Sequence, residues 1–185
     1  MKTLVLVSHP DLGKSMTNKR WVDELRRYPD RYTVHEINVL YPDGAIDVEA
    51  EQKLVEAHGA LVLQFPIFWF GCPPLMKKWL DDVLTYGWAY GSKSEGLRDR
   101  PVALAVTTGI RESDYGPHGV YRYTLEEFLS PFEATFRYAR ADYRPCFASY
   151  GTGGAPTDDD LDVGVRAYRA FLDDLEVPDA GPSRG

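Results

Sequence analysis

The sequence predicts an α/β fold built on a five-stranded parallel sheet with helices on both faces. Short continuous apolar runs, of which Thr3–Val7 is the first, are typical of strands that are buried on both faces. These runs alternate with longer amphipathic segments in the order βαβαβαβαβα, and that alternation indicates parallel strands joined by helices. The chain has 185 residues, 44% of them hydrophobic and 26% charged, which suits one globular domain.

Two strands and two helices are predicted in the first part of the chain. Thr3–Val7 is too short for the apolar core of a signal peptide and is interpreted as the first strand. Met16–Arg27 carries apolar residues at helical spacing and predicts the first helix. Tyr32–Asn38 alternates in the manner of a strand. Asp47 is a favourable N-cap for a helix that reaches about His58, with glutamates in its first turn.

The middle of the chain predicts two further buried strands with a helix between them. Ala60–Phe65 and Pro101–Val106 are strands by the same apolar criterion as the first. Pro73 and Pro74 open the helix that follows Ala60–Phe65, because proline fits the first turn of a helix.

The last part of the chain predicts a strand between two helices. Tyr123–Arg140 predicts a long helix that is interrupted or bent at Pro131, since proline removes a helical hydrogen bond. Pro145–Tyr150 predicts the fifth strand. Asp158 is the expected cap of a final helix that runs to Leu175.

Composition sets the domain limits and excludes several classes of function. Residues 1–176 are expected to form the single domain, and residues 177–185, which lack apolar periodicity, a flexible tail. A net charge of -7 argues against a nucleic-acid or anionic-membrane partner. No apolar run approaches the roughly 20 residues of a membrane span. Cys72 and Cys146 form no CxxC pair, so we expect neither a disulfide framework nor a zinc site, and we expect a reducing cytoplasm.

The predicted topology indicates where a ligand binds. Right-handed crossovers and five strands favour the flavodoxin-like strand order 2-1-3-4-5. Such sheets bind ligands at the carboxyl ends of their strands, at the switch point beside the first strand. The loops after the first, third and fourth strands are therefore the candidate site.

The loop after the first strand predicts a phosphate site. Its Gly-Lys-Ser sequence is not a triphosphate-binding loop, because Ser8 stands where that motif needs a glycine. Ser15, Thr17 and the free amides at the helix start can hold a phosphate with help from the helix dipole. The alternative is that Ser15 or Thr17 only caps the helix. His9 in the same loop is more often bonded to backbone than to a ligand.

The loop after the third strand places three aromatic residues in a row. Phe68, Trp69 and Phe70 cannot all face the core, which favours a ligand or partner surface. A flat heteroaromatic ring stacked on Trp69 is one occupant. The alternative is that Trp69 fills the core or a dimer interface.

The loop after the fourth strand begins Thr107-Thr108-Gly109. Gly109 lets backbone amides approach a ring edge closely, because it has no side chain. Tyr115 and His118 follow as the close Tyr/His pair of the candidate loops, and they can donate hydrogen bonds to charge that develops on a reduced ring. The alternative, which spacing alone favours, is a surface loop with a solvated His118.

Taken together, several segments resemble the flavodoxin-like NAD(P)H:quinone oxidoreductase family. Within that family the chain is most similar to the ancillary oxidoreductases of glutathione-gated potassium efflux systems. The segments that carry the resemblance are SHPDLGKSMTNKR, LYPDGAIDVEAEQ, QFPIFWFGCPPLMKKWLDDVLTYGWAYG, and AVTTG with the loop after it. They cover most of residues 1 to 150, and the long central segment is the most specific.

The resemblance implies a bound flavin, FMN in preference to FAD, with NAD(P)H as the hydride donor and a quinone as the acceptor in a ping-pong reaction. It implies a homodimer with the substrate pocket near the interface, and catalytic assistance from Tyr115 and His118. The cofactor-binding residues that it implies are His9, Ser15, Met16, Thr17, Asn18, Pro66, Ile67, Phe68, Trp69, Phe70, Thr107, Thr108, Gly109 and Ile110.

Two other functions stay open at this point. The resemblance also implies a regulatory ancillary subunit of a potassium/proton antiporter, which would place a cytoplasmic protein at the inner membrane through its partner. A one-electron flavodoxin-type carrier ranks last, because such carriers have an acidic face around the flavin and the charge of these loops is mixed.

Overall fold

A computed structural model describes residues 1–154 and 156–175, so the predicted tail at 177–185 lies outside the described residues. The strands are β1 (Thr3–Val7), β2 (Tyr32–Glu36), β3 (Ala60–Pro66), β4 (Pro101–Thr107), β5 (Asp142–Tyr143) and β6 (Phe147–Ser149). The helices are α1 (Met16–Leu25), α2 (Ile37–Leu40), α3 (Val48–Glu56), α4 (Pro74–Val83), α5 (Leu125–Tyr138) and α6 (Asp158–Leu175). None of the helices in these residues is long and apolar enough to cross a membrane.

The sheet is parallel throughout and has the order β2-β1-β3-β4-β5, which confirms the predicted fold class. Its fifth position differs from the prediction. The predicted strand Pro145–Tyr150 is only Phe147–Ser149, and a second short strand, Asp142–Tyr143, also pairs with β4. The two are separate because Pro145 has no N–H to donate and breaks the ladder after the bond from the Arg144 N–H to the Val102 carbonyl.

Alternate residues of the central strands build a core on each face of the sheet. Leu4 and Leu6 of β1 pack on one face, together with α4 and α5. Val5 and Val7 pack on the other, together with α1 and α6. All four side chains are fully buried, which explains why the strand is apolar at every position.

Several predicted boundaries in the first half are wrong by a few residues. The predicted helix Met16–Arg27 ends at Leu25. The predicted strand Tyr32–Asn38 ends at Glu36, because Ile37 begins the short helix α2. The predicted N-cap is confirmed: the Asp47 carboxylate accepts a hydrogen bond of 3.0 Å from the Ala50 N–H.

The last two helices also correct the prediction. α5 is continuous through Pro131, so the expected interruption is wrong, while the alternative of a bend stays a prediction. The hydroxyl of Ser130 donates at 2.8 Å to the Glu127 carbonyl that the missing proline N–H would have met. The cap of α6 is not Asp158. Thr157 takes that role, because its hydroxyl accepts from the Asp160 N–H at 3.2 Å while the Asp160 carboxylate accepts from the Thr157 N–H at 3.0 Å.

Candidate functional site

A cleft lies where the carboxyl ends of β1, β3, β4 and β6 meet. The parallel register brings these ends together, because it pairs Val7 with Gln64 and Thr107 with both Pro66 and Ser149. The cleft has a volume of about 490 Å³, which falls within the roughly 300–1,000 Å³ of small-molecule sites. Its lining residues are His9, Pro10, Asp11, Lys14, Ser15, Met16, Thr17, Asn18, Pro66, Phe68, Thr107, Thr152, Gly153 and Gly154.

The structure brings most of the predicted cofactor-binding residues together at this cleft. The eight that line it are His9, Ser15, Met16, Thr17, Asn18, Pro66, Phe68 and Thr107. The six that belong to the adjoining loops without lining it are Ile67, Trp69, Phe70, Thr108, Gly109 and Ile110.

The start of α1 gives the cleft an anion-binding end. The Ser15 hydroxyl accepts a hydrogen bond of 3.1 Å from the Asn18 N–H, so Ser15 does cap the helix. Helix geometry still leaves the N–H groups of Met16 and Thr17 without an intrahelical acceptor, at the positive end of the helix dipole. Lys14 stands at the mouth, 2.7 Å from the Asp11 carboxylate, and that ion pair raises the pKa of Lys14.

His9 stands at the same end of the cleft. Its Nδ1 accepts a hydrogen bond of 3.1 Å from the Asp11 N–H, as expected for a histidine bonded to backbone. Burial lowers the pKa of His9 even though Asp11 lies close by. The lowered pKa favours the neutral imidazole, and a neutral imidazole that accepts at Nδ1 carries its proton on Nε2.

A tight two-residue turn carries the aromatic residues. The N–H and carbonyl of Phe68 bond to those of Gly71 at 3.0 and 2.9 Å, and the central residues Trp69 and Phe70 both have left-handed backbone, with φ of 49° and 62°. This conformation strains bulky residues, and such strain concentrates at functional sites. Trp69 is 96% exposed, so the alternative that it fills the core is wrong. Phe70 instead stacks inward on Phe128 at 4.6 Å.

The structure places Tyr115 and His118 in different environments. Tyr115 is only 8% exposed, does not line the cleft, and places its hydroxyl 3.0 Å from the Thr108 hydroxyl, while burial raises its pKa. The Thr108 hydroxyl in turn accepts from the Ile110 N–H at 3.2 Å. His118 is exposed at the loop surface. In this geometry the Tyr115 hydroxyl holds the Thr108 side chain, and Thr108 in turn holds the backbone at Ile110, after the end of β4.

A family described as having a flavodoxin-like fold matches residues 1–172 of this sequence. The chain belongs to this family. The family match and the observed strand order confirm the flavodoxin-like fold that the sequence predicts.

Relatives of this flavodoxin-like chain are named as oxidoreductases or as ancillary proteins. It is 45% identical over 152 residues to the uncharacterized NAD(P)H oxidoreductase YrkL of Bacillus subtilis (strain 168); the matched region covers 82% of this chain and 87% of the relative. It is 34% identical over 177 residues to the glutathione-regulated potassium-efflux system ancillary protein KefG of Cronobacter sakazakii, which covers 96% of this chain and 95% of the relative.

Two solved structures share the flavodoxin-like architecture closely. The general stress protein 14 of Treponema denticola, in complex with FMN, superposes with a TM-score of 0.89 at 47% identity, covering 95% of this chain and 99% of that one. An NADPH-quinone reductase from P. pentosaceus superposes with a TM-score of 0.83 at 26% identity, covering 93% and 98%.

Sequence reasoning missed one wall of the cleft in this flavodoxin-like chain. The segment 151–154 follows β6 and contributes Thr152, Gly153 and Gly154 to the lining. Its backbone crosses that of Gly109 so closely that a Cβ on Gly153 would lie 3.4 Å from the Gly109 Cα. The Gly-Thr-Gly-Gly sequence after the last strand was the available signal, because glycines there permit close backbone approach.

Proposed function

We propose that this protein is an FMN-dependent NAD(P)H oxidoreductase that reduces quinones or related electrophiles in a ping-pong reaction. One observation carries the proposal: a single cleft joins an anion-binding helix start to a strained aromatic turn at the carboxyl ends of parallel strands. The oxidoreductase names of the relatives and the FMN held by the Treponema denticola protein support it. Nothing in these likenesses supports FAD as the cofactor.

The residues of the cleft fit FMN at both ends. The N–H groups of Met16 and Thr17 suit the phosphate, and Lys14 joins them by exchanging Asp11 for it. The close crossing of Gly109 and Gly153 places the backbone of residue 153 at the wall of the cleft, next to the loop that begins with Thr107. When bound, FMN supplies the redox chemistry, while the protein supplies orientation and hydrogen bonds.

We further propose a homodimer in which the second copy covers the aromatic turn. The support is the exposure of Phe68 and Trp69 in that turn, 41% and 96%, and of Val120 and Tyr123, 73% and 56%. Phe70 of the turn contacts Tyr121, which lies between Val120 and Tyr123 in the sequence, with ring centroids 5.0 Å apart. Large exposed apolar side chains that cluster in this way are typical of interaction surfaces.

The first experiment is an anaerobic visible spectrum of the purified, FMN-loaded protein. Flavin bands that bleach on addition of NADPH or NADH, and return on addition of a quinone, are the expected result. A protein that stays colourless after incubation with FMN, or whose bands fail to bleach with either nucleotide, contradicts the proposal.

A pair of lysine variants tests the proposed phosphate end. Lys14→Gln should weaken FMN binding, because it removes the cation at the mouth of the cleft. Lys53→Gln is the matched control, since Lys53 also forms an exposed ion pair, with Glu49, but on α3 away from the cleft. Equal losses in the two variants, or no loss in either, would argue against a phosphate at this position.

The similarity to KefG favours a second candidate function, that of an ancillary subunit bound to a potassium efflux antiporter. Both functions are compatible in one chain. Co-purification with an antiporter encoded nearby, and an effect on its ion flux, are the expected results. Absence of both would remove this candidate without affecting the flavin assay.

A further inference from the structure

Four buried polar side chains form a continuous chain of hydrogen bonds beneath the cleft. Tyr168 of α6 donates from its hydroxyl to Gln64 Oε1 on β3 at 3.0 Å. Gln64 Nε2 lies 3.2 Å from Asn18 Oδ1 on α1, and Asn18 Nδ2 lies 2.7 Å from Thr107 Oγ1 at the end of β4. All four residues are at most 3% exposed. Buried polar groups of this kind are costly unless each has a partner.

One backbone carbonyl determines which group donates and which accepts at each of these hydrogen bonds. Gln64 Nε2 lies 3.3 Å from the Asn18 main-chain carbonyl, which can only accept a hydrogen bond. The group of Gln64 at this point must therefore be its NH₂. Asn18 must then present its oxygen to Gln64 and its NH₂ to Thr107, because two NH₂ groups cannot bond to each other. The Thr107 hydroxyl consequently accepts.

The proton of the Thr107 hydroxyl is left for another acceptor. Among residues 1–154 and 156–175, the sole hydrogen bond of the Thr107 side chain is the one that it accepts from Asn18. Thr107 lines the cleft. A buried hydroxyl with its accepting side occupied directs its proton toward an acceptor when one is within reach.

We infer that Thr107 donates a hydrogen bond into the cleft to an acceptor atom of the bound FMN, and that Tyr168, Gln64 and Asn18 are positioning residues that hold it in this role. The inference rests on the proposed function for the identity of the ligand. The orientation of the four side chains does not depend on that function, because it follows from their mutual hydrogen bonds. Tyr168 and Gln64 thereby act on the ligand without lining the cleft.

Equilibrium titration of the apoprotein with FMN, followed by flavin fluorescence, tests the donor. Thr107→Val keeps the shape but removes the hydroxyl, and we expect binding to weaken about 2- to 10-fold, the range of one neutral hydrogen bond. Thr107→Ser keeps a donor and should stay closer to wild type than Thr107→Val. Wild-type affinity in Thr107→Val would overturn the inference.

Two tyrosine variants test the positioning role. Tyr168→Phe removes only the hydroxyl that donates to Gln64 Oε1 and helps to hold this side chain in place, and it should also weaken FMN binding. Tyr32→Phe is the matched control. The hydroxyl of the buried Tyr32 donates to Asp173 at 2.8 Å, and Tyr32 begins β2, so it lies at the amino end of the strand and not at the carboxyl end that faces the cleft. Equal affinities for Tyr168→Phe and Tyr32→Phe would overturn the role of Tyr168.

A measurement without flavin separates this inference from the proposed function. Side-chain amide signals in NMR spectra of the apoprotein should show slow hydrogen exchange for Gln64 and Asn18. The Asn18 signals should shift in Thr107→Val, since its NH₂ loses its acceptor, and the Gln64 signals should shift in Tyr168→Phe. Unchanged signals would overturn the orientation. A wild-type protein that binds no flavin would defeat the proposed function, and these signals would still decide the orientation.

Discussion

Glu51→Gln should destabilise the protein strongly although the two side chains have almost the same shape. Glu51 is 1% exposed, and its carboxylate accepts three hydrogen bonds. His35 Nε2 and the Tyr41 hydroxyl donate to Oε1 at 2.7 and 2.6 Å, and Trp79 Nε1 donates to Oε2 at 2.7 Å. Three elements are thereby bonded to α3, which carries Glu51: β2 through His35, α4 through Trp79, and the residue after α2 through Tyr41. Glutamine has one accepting oxygen. Its NH₂ must therefore either face the Trp79 N–H, which can only donate, or force His35 and the Tyr41 hydroxyl to change from donors to acceptors.

The expected loss of stability follows from that count. One donor left without an acceptor costs about 1–3 kcal/mol, and the two remaining bonds lose about 1 kcal/mol each when they no longer reach a charged group. Relief from burying a carboxylate offsets part of this sum. We therefore expect the free energy of unfolding to fall by about 2–4 kcal/mol at pH 7.

Urea denaturation followed by circular dichroism measures this change. The control is Glu49→Gln, because Glu49 is an exposed glutamate on the same helix, paired with Lys53, and its loss should leave the midpoint close to that of wild type. A Glu51→Gln midpoint equal to that of Glu49→Gln would show that the three hydrogen bonds to Glu51 do not stabilise the fold.

The pH dependence gives an independent check of the same group. Burial raises the pKa of Glu51, but the hydrogen bonds from His35, Tyr41 and Trp79 outweigh it and hold the pKa below its ordinary value of 4.5. A carboxyl with a lowered folded-state pKa contributes stability above its unfolded value and loses it as the pH falls through the folded value. The difference between wild type and Glu51→Gln should therefore shrink progressively below about pH 4.5.

Three further substitutions have expected outcomes. Gly119→Ala should open the loop 111–123 at a cost of about 1–3 kcal/mol, because its Cβ would lie 2.3 Å from the Asp114 carbonyl oxygen; hydrogen exchange of the loop amides should accelerate, and unchanged rates would contradict this. Ser15→Ala should lose about 1 kcal/mol of stability in thermal unfolding with its cap, and a wild-type midpoint would show that the cap contributes nothing. Trp69→Asn should raise the stability of the flavin-free monomer by about 1 kcal/mol, since asparagine tolerates left-handed backbone, while FMN binding weakens; a lower melting temperature of the monomer in dilute solution would show that the turn is not strained.

The sequence predicts those parts of the fold that depend on burial. Thr3–Val7 is a continuous apolar run because both of its faces pack against helices, and its bounds are predicted correctly. The fifth strand has no such run. Asp142–Tyr143 and Phe147–Ser149 are only half-buried and flank a proline, so neither an apolar run nor alternation marks them. The fifth strand position is therefore the part of the sheet that the pattern of residues describes least well.

In the candidate site, too, some residues are predictable from the sequence and others are not. Residues such as Thr17 and Thr107 lie at the ends of elements whose places the topology determines, so the predicted sheet order already brings them together. Gly153 has no side chain whose chemistry could indicate a ligand, and its place in the cleft depends on the close approach of its backbone to Gly109 in the folded protein. The role of Tyr115 comes from the family resemblance and stays a prediction; the structure adds that its hydroxyl lies 3.0 Å from that of Thr108.

The exposure of Trp69 gives the protein a built-in optical reporter. Of the four tryptophans, Trp21 and Trp79 are fully enclosed and Trp88 is half-buried, whereas Trp69 meets solvent over almost its whole surface. A water-soluble quencher such as iodide will therefore extinguish the red-shifted emission of Trp69 first. Occupation of the neighbouring cleft, or coverage of the turn by a second copy, will protect Trp69 from iodide. Both events can therefore be followed on the unlabelled protein.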